Sequence, residues 1–165
     1  MGKFNYLIEG VSGVGKSAVC RALRLRGIAA VDGDRELAYQ GDPQTGAPTT
    51  QRGHAYHIWD VEKVEHIAAQ QDEAWTFFCG GSRNFHRFLH LFDAVFILDV
   101  DVDTLNARLD SREDNDWGKS EEERALILRL HATREDLPAD AITIDASRPL
   151  DVVLDDILSR VKAVS

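Results

Sequence analysis

Cysteine is scarce in this chain: its 165 residues include two, Cys20 and Cys79. Two cysteines so far apart, with no C-x-x-C, make neither a disulfide framework nor a zinc set. Long apolar runs are missing as well. No stretch reaches the length of a membrane-spanning helix, and Met1-Gly2-Lys3-Phe4 opens no signal-peptide core. The expected setting is therefore the reducing cytoplasm. Positive charge is in deficit, 19 Lys and Arg against 28 Asp and Glu, which leaves a net charge of −9. That balance opposes general attraction to nucleic-acid backbone or to an anionic membrane, so neither is an expected partner. Any site for an anionic ligand must be a local concentration of cations. No repeat, low-complexity segment or linker divides the chain, and its length suits one domain spanning 1–165.

What is present is an alternation of short apolar runs and helical patterns. Phe4 to Glu9 reads as a strand, followed by a Gly-rich turn and a helix from about Lys16 to Arg26. Ile28 to Val31, Ala74 to Cys79, Ala94 to Leu98 and Ala141 to Ile144 read as four more strands. Continuous apolar strands are those covered by helices on both faces. Asp60 is placed to cap a helix with Val61, Val64, Ile67 and Ala68 inside, and Leu105 and Leu109 mark another after Asp101. Ser120 and Glu123 form an S-x-x-E capping box, and Pro149 opens a last helix with Leu150, Val153, Leu154, Ile157, Leu158 and Val161 on one face. Phe85, Phe88, Leu89 and Phe92 stand at helical spacing and read as core. Gly41 to Gly53 has no apolar period and is too long for a mere connection. The expected architecture is α/β: a three-layer sandwich of a five-stranded parallel sheet between helices. A short charged lid is expected at about 111–120 and an acceptor-side loop at about 41–57. One core accounts for the apolar faces, so a monomer or weak homodimer is expected.

The chemistry is concentrated in Gly10-Val11-Ser12-Gly13-Val14-Gly15-Lys16-Ser17, which fits G-x-x-x-x-G-K-[ST] without a gap. It follows an expected strand and opens an expected helix, the context such a string requires. The glycines let the backbone curl, so amides from Gly10 through Ser12, Gly13, Val14 and Gly15 to Ala18 can face phosphate oxygens. The start of the helix adds its positive dipole end. Lys16 can reach the β- and γ-phosphates, and Ser17 supplies a hydroxyl for Mg²⁺. A glycine turn that only joins strand to helix leaves Lys16-Ser17 unexplained. The dinucleotide spacing G-x-G-x-x-G is absent, as is the guanine-reading N-K-x-D.

With these residues in place, the chain resembles the nucleoside and nucleotide kinase-like branch of P-loop proteins, which includes adenylate, shikimate and small nucleoside kinases. The resemblance implies ATP as phosphoryl donor, Mg²⁺ as cofactor and a small-molecule acceptor. It also assigns roles. Val31-Asp32-Gly33-Asp34 is similar to the acceptor and metal segment of shikimate kinases. It implies Asp34 as the group that orients or deprotonates the acceptor hydroxyl and Asp32 as a metal residue. An Asx turn capping the next helix would use the same residues. Cys79-Gly80-Gly81-Ser82-Arg83 is similar to the D-G-x-P-R of adenylate kinases, implying Gly80, Gly81 and Arg83 at the acceptor. It departs at Cys79, where those kinases carry an acid, and Cys79 itself reads as a small buried hydrophobe. Arg108 and Arg112, one helical turn apart, resemble arginines that close over the phosphates; a solvated face paired with Asp110, Glu113 and Asp114 is the alternative. Ser147, in Asp145-Ala146-Ser147-Arg148-Pro149, falls where related kinases contact adenine, or it caps the last helix.

The activity implied is phosphoryl transfer from ATP to a small molecule, a nucleoside hydroxyl first. A nucleoside monophosphate is next and would call on Arg35, Arg52, Arg83 and Arg87; shikimate or another polyol is third. From another class, a P-loop ATPase switch acting through a macromolecular partner fits the missing acid at Cys79. His54, His57 and Asp60 stand three residues apart in an expected loop with no obvious fourth ligand, weak grounds for a metal site, and surface or acceptor-pocket roles are expected of the histidines. Tyr56 and Trp59 could stack on a planar acceptor or pack in the core.

Overall fold

The computed structural model describes residues 4–70, 72–111 and 120–164. Arg112 and most of the expected lid lie outside these. Among the described residues seven strands and six α-helices follow in the order β1 (Phe4–Glu9), α1 (Lys16–Leu25), β2 (Ala29–Asp32), α2 (Gly33–Glu36), β3 (Ala38–Gln40), β4 (His57–Trp59), α3 (Val61–Ala69), β5 (Trp75–Cys79), β6 (Ala94–Asp99), α4 (Val102–Asp110), α5 (Glu121–Thr133), β7 (Ile142–Asp145) and α6 (Leu150–Val164). Five strands form the expected parallel sheet in the order β2-β5-β1-β6-β7. β1 is central, with Ile8 opposite Cys79 on one side and Phe96 on the other. The carboxyl ends of these parallel strands therefore lie along one edge of the sheet, the edge where open α/β sheets bind ligands.

Alternation along the strands divides the core into two layers. Tyr6, Ile8, Phe77, Cys79, Phe96 and Leu98 pack with α1, α5 and α6 on one face. Leu7, Phe78 and Val95 pack with Leu37, Trp59, Val64 and Phe88 on the other. The caps behave as the sequence implies: Asp60 accepts from Lys63 N, Asp101 from Thr104 N, and Ser120 from Glu123 N. Cys79 is 2% exposed, part of the core as expected, against the thiol of Cys20. That neighbour and burial push its thiol well above the ordinary range, so it remains protonated and chemically quiet.

Two segments differ from expectation. The expected loop is bounded by an antiparallel pair, β3 with β4, in which Tyr39 faces Ile58, and Gly41 bridges to Pro48 beyond it. Three-residue strands are too short to carry a detectable period. The aromatic segment forms two 3₁₀ turns, Phe85–Arg87 and Leu89–Leu91, rather than a longer helix. Buried Asn84 explains the break. Its amide donates to Trp59 O and accepts from Trp59 N, so its side chain pairs with β4.

Trp59 packs in the core. It is 1% exposed and lies flat on Phe88, ring centres 5.5 Å apart and planes 3° from parallel. Its indole edge leaves no room on Gly33, where a Cβ would stand 2.1 Å from Cζ2. Trp59 thus fixes the height of the turn that carries Asp34. Gly33→Ala should lower stability by about 1–3 kcal/mol, the cost of overpacking a filled core. Urea unfolding checks this; an unchanged midpoint would mean that Trp59 yields its place.

Candidate active site

The loop after β1 turns left-handed at Gly13 (φ 97°) and Gly15 (φ 108°), a path that favours glycine, and delivers Lys16 and Ser17 to the first turn of α1. Together with strand ends from across the sheet it encloses a cleft of about 770 Å³. Its walls include Gly10, Ser12, Gly13, Gly15, Lys16, Ser17 and Ala18 from the loop and helix, Asp34 from α2, Gly81 and Arg83 after β5, and Arg108 from α4. One cleft therefore holds most of the residues singled out in the sequence.

Not all of them join it. Asp32 ends β2, the edge strand, one strand further from β1 than β5. Its carboxylate lies 3.7 Å from Arg35 and does not line the cleft, so its position gives the metal role no support. Gly80 points its N–H back to Ile8 O, and Ser147 donates from N and Oγ to Asp145 Oδ1 in a local turn; neither lines the cleft. Val14 is 1% exposed and contributes its carbonyl rather than its side chain.

Arg108 uses both ends of its guanidinium on main chain. Nη1 donates to Val14 O and Nη2 to Ala146 O, both at 2.7 Å. It clasps the phosphate-binding loop to the loop after β7. Asp34 receives His57 Nε2 at 2.9 Å. Desolvation by the cleft raises its pKa; the His57 hydrogen bond, the Lys16 charge and the Gly81 N–H outweigh that and hold it below the usual carboxylate range. Asp34 is thus ionised, aimed and partly open.

Glu9, the last residue of β1, was not recognised in the sequence. It is 1% exposed, accepts from Gly10 N at 2.9 Å and lies 3.8 Å from Lys16 Nζ, which also donates to Gly10 O. Burial raises its pKa to about 7, against the opposing pull of Lys16 and the Gly10 N–H. An acid ending the apolar run Tyr6-Leu7-Ile8 directly before the glycine loop was the available signal. His54 and Asp136, also in the cleft, were missed as a pair because they are 82 residues apart.

The oxygen donors suit the cation that this fold implies. Ser17, Glu9 and Asp34 present a hydroxyl and two carboxylates to one cleft. Mg²⁺ takes one or two carboxylates and fills its shell with phosphates and water. Among the described residues, no three or more His, Cys, Asp or Glu side chains cluster as a self-sufficient metal site.

A family model described as an AAA domain matches residues 7–129, most of the chain and all of the loop. The chain belongs to that family. Solved structures of P-loop kinases share the fold of this family member over nearly its whole length. A shikimate kinase from Acinetobacter baumannii in complex with shikimate is 17% identical, with a TM-score of 0.63, covering 98% of this chain and 94% of its own. A shikimate kinase from Bacteroides thetaiotaomicron is 16% identical (TM-score 0.65, 96% and 98%). A sugar kinase from Janibacter sp. HTCC2649 is 18% identical (TM-score 0.61, 97% and 95%). Among curated proteins none matches. Among the described residues no helix is long and apolar enough to cross a membrane.

The buried acid gives a stability prediction for this AAA-domain protein. Its folded pKa of about 7 exceeds the ordinary 4.5. The unfolded chain therefore loses the proton first as pH rises. The stabilisation is complete below the unfolded value and disappears as pH climbs through about 7. Glu9→Gln should remove this fall, worth on the order of 3 kcal/mol, and so be the more stable form at pH 8. Unfolding of both proteins from pH 4 to 8 checks it; parallel curves would refute it.

Proposed function

We propose that the protein is a Mg²⁺-dependent kinase that transfers the γ-phosphoryl group of ATP to the hydroxyl of a small molecule, with a nucleoside the first candidate. The observation that carries this reading is the convergence on one cleft of Lys16 and of Asp34, which is hydrogen-bonded to His57. The loop amides and Lys16 bind the phosphates of ATP. Ser17 and Glu9 would hold Mg²⁺, which would supply charge neutralisation at the phosphates. Asp34 accepts a hydrogen bond from the acceptor hydroxyl and orients its oxygen toward the γ-phosphorus. As that O–P bond forms, the bond from γ-phosphorus to the β–γ bridging oxygen breaks, ADP leaves with the electron pair, and the hydroxyl proton passes to Asp34. His57 holds the carboxylate in line throughout. Arg108 keeps the loop in shape, and Arg112 remains a candidate for covering the transferred group.

An acceptor without a phosphate of its own is favoured by the arginines. Of Arg35, Arg52, Arg83 and Arg87, Arg83 alone lines the cleft, and the side chain of Arg35 is 83% exposed. Kinases of monophosphates need several cations at the acceptor.

ADP release with Mg²⁺-ATP against nucleosides, monophosphates, shikimate and polyols tests the reading. A cognate acceptor should raise turnover many-fold. Lys16→Ala should abolish that gain, and Asp34→Asn should cut kcat by about 10²–10⁴, the scale of a general base. ATP turnover that no acceptor stimulates would point instead to a P-loop ATPase switch.

A further inference from the structure

Arg83 is the cation that an anionic acceptor would need, and it is already taken. The loop after α5 brings Asp136 across the cleft, where Oδ2 contacts both Arg83 Nη1 and His54 Nε2. The two nitrogens are 2.6 Å apart. With its proton on Nε2 the imidazole donates to Asp136; with it on Nδ1 the ring accepts from Arg83. The cluster is largely enclosed, the side chains of Arg83, His54 and Asp136 being 12%, 25% and 25% exposed. Desolvation raises the Asp136 pKa, but the His54 hydrogen bond and the Arg83 charge outweigh it and keep the carboxylate ionised below the usual range. Among the described residues the buried Arg83 Nε has no partner, and the guanidinium is held through Nη1.

The consequence is electrostatic. Asp34 and Asp136 put two negative charges in the cleft, where Asp136 already balances Arg83 and Asp34 lies in the field of Lys16. A phosphate or carboxylate on the acceptor would face both carboxylates, and could reach Arg83 only by breaking an enclosed ion pair. Leaving either partner of such a pair alone is costly. An uncharged hydroxyl-bearing molecule pays no such penalty and finds a neutral hydrogen-bonding group in Gln40, which lines the same cleft. Repulsion of the wrong ligand is as effective a source of specificity as attraction of the right one.

We propose that Asp136 determines the charge class of the acceptor: by occupying Arg83 together with His54, it reserves this half of the cleft for uncharged molecules and turns anionic ones away. The inference rests on the reading of the cleft as a kinase site with Asp34 at the acceptor. Asp136→Asn keeps the shape of the side chain and uncovers the guanidinium. Asp136→Glu keeps the charge and should retain the wild-type exclusion.

Two measurements test this on the full chain. First, the protein is saturated with Mg²⁺ and a non-hydrolysable ATP analogue, which fills the phosphate loop, and inorganic sulfate is titrated by calorimetry. Asp136→Asn should bind sulfate about tenfold or more tighter than wild type, the size of one hydrogen bond to a charged group. Second, matched acceptors that keep every hydroxyl are compared by kcat/KM: glucose with gluconate, and shikimate methyl ester with shikimate. The anionic-to-uncharged ratio should rise by a similar factor in Asp136→Asn and stay at the wild-type value in Asp136→Glu. Sulfate binding by the wild type as tight as by the variant, or a wild-type preference for the anionic member of a pair, would overturn the proposal. The wild-type arms decide this even if Asp136→Asn does not fold. If no compound stimulates ADP release, the phosphotransfer reading fails, while the sulfate titration still decides the role of Asp136.

Discussion

A phosphate-binding loop must hold a concentration of positive potential whether or not phosphate is present. In this protein the constraint is met at the end of β1, where Lys16 bends back to Gly10 O and lies beside the buried carboxylate of Glu9. The pair lets the loop keep its curl without a polyanion, because the cation has partners inside the protein. It also places a proton-binding group whose affinity lies near neutrality directly under the phosphate site. Much else depends on this arrangement. The Lys16 charge helps keep Asp34 ionised, and the glycine after Glu9 begins the turn that Arg108 clasps from the opposite side.

The frame of the molecule was legible in the sequence because its signals are local. An apolar run, a glycine string and a capping serine or aspartate are each read within a few residues, and the five strands and the loop follow from them. Strand ends shifted by one residue, as at Trp75–Cys79 and Ile142–Asp145, since an apolar run does not say where pairing stops. Features made by distant residues were not legible. The β3–β4 pair is too short to show a period. The Phe85–Phe92 spacing imitates a helix until the buried amide of Asn84 is seen to serve β4 instead. In the candidate site the residues near the glycine string were identifiable, whereas Asp136 gains its meaning from Arg83 and His54, which no nearby sequence announces.

Asp32 and Asp34 illustrate the limit of reading by resemblance. The segment matches in residue type, and both carboxylates qualify by chemistry. Position separates them: β2 runs at the sheet's edge, so its last residue stays remote from the loop, while the turn of α2 carries Asp34 back toward the centre. The seating of that turn on Trp59 provides the reach.

The central position of β1 also bears on how the protein comes into being. Its neighbours β5 and β6 arise far along the chain, and Asn5 N–H donates to Asp93, 88 residues away. Parallel pairing of this kind requires large loops to close before contacts reward them, which slows folding. On the ribosome the glycine loop is made before both strands that flank β1, and Asp136 is made later still. The cleft that these segments wall is therefore complete only once Asp136 has been translated.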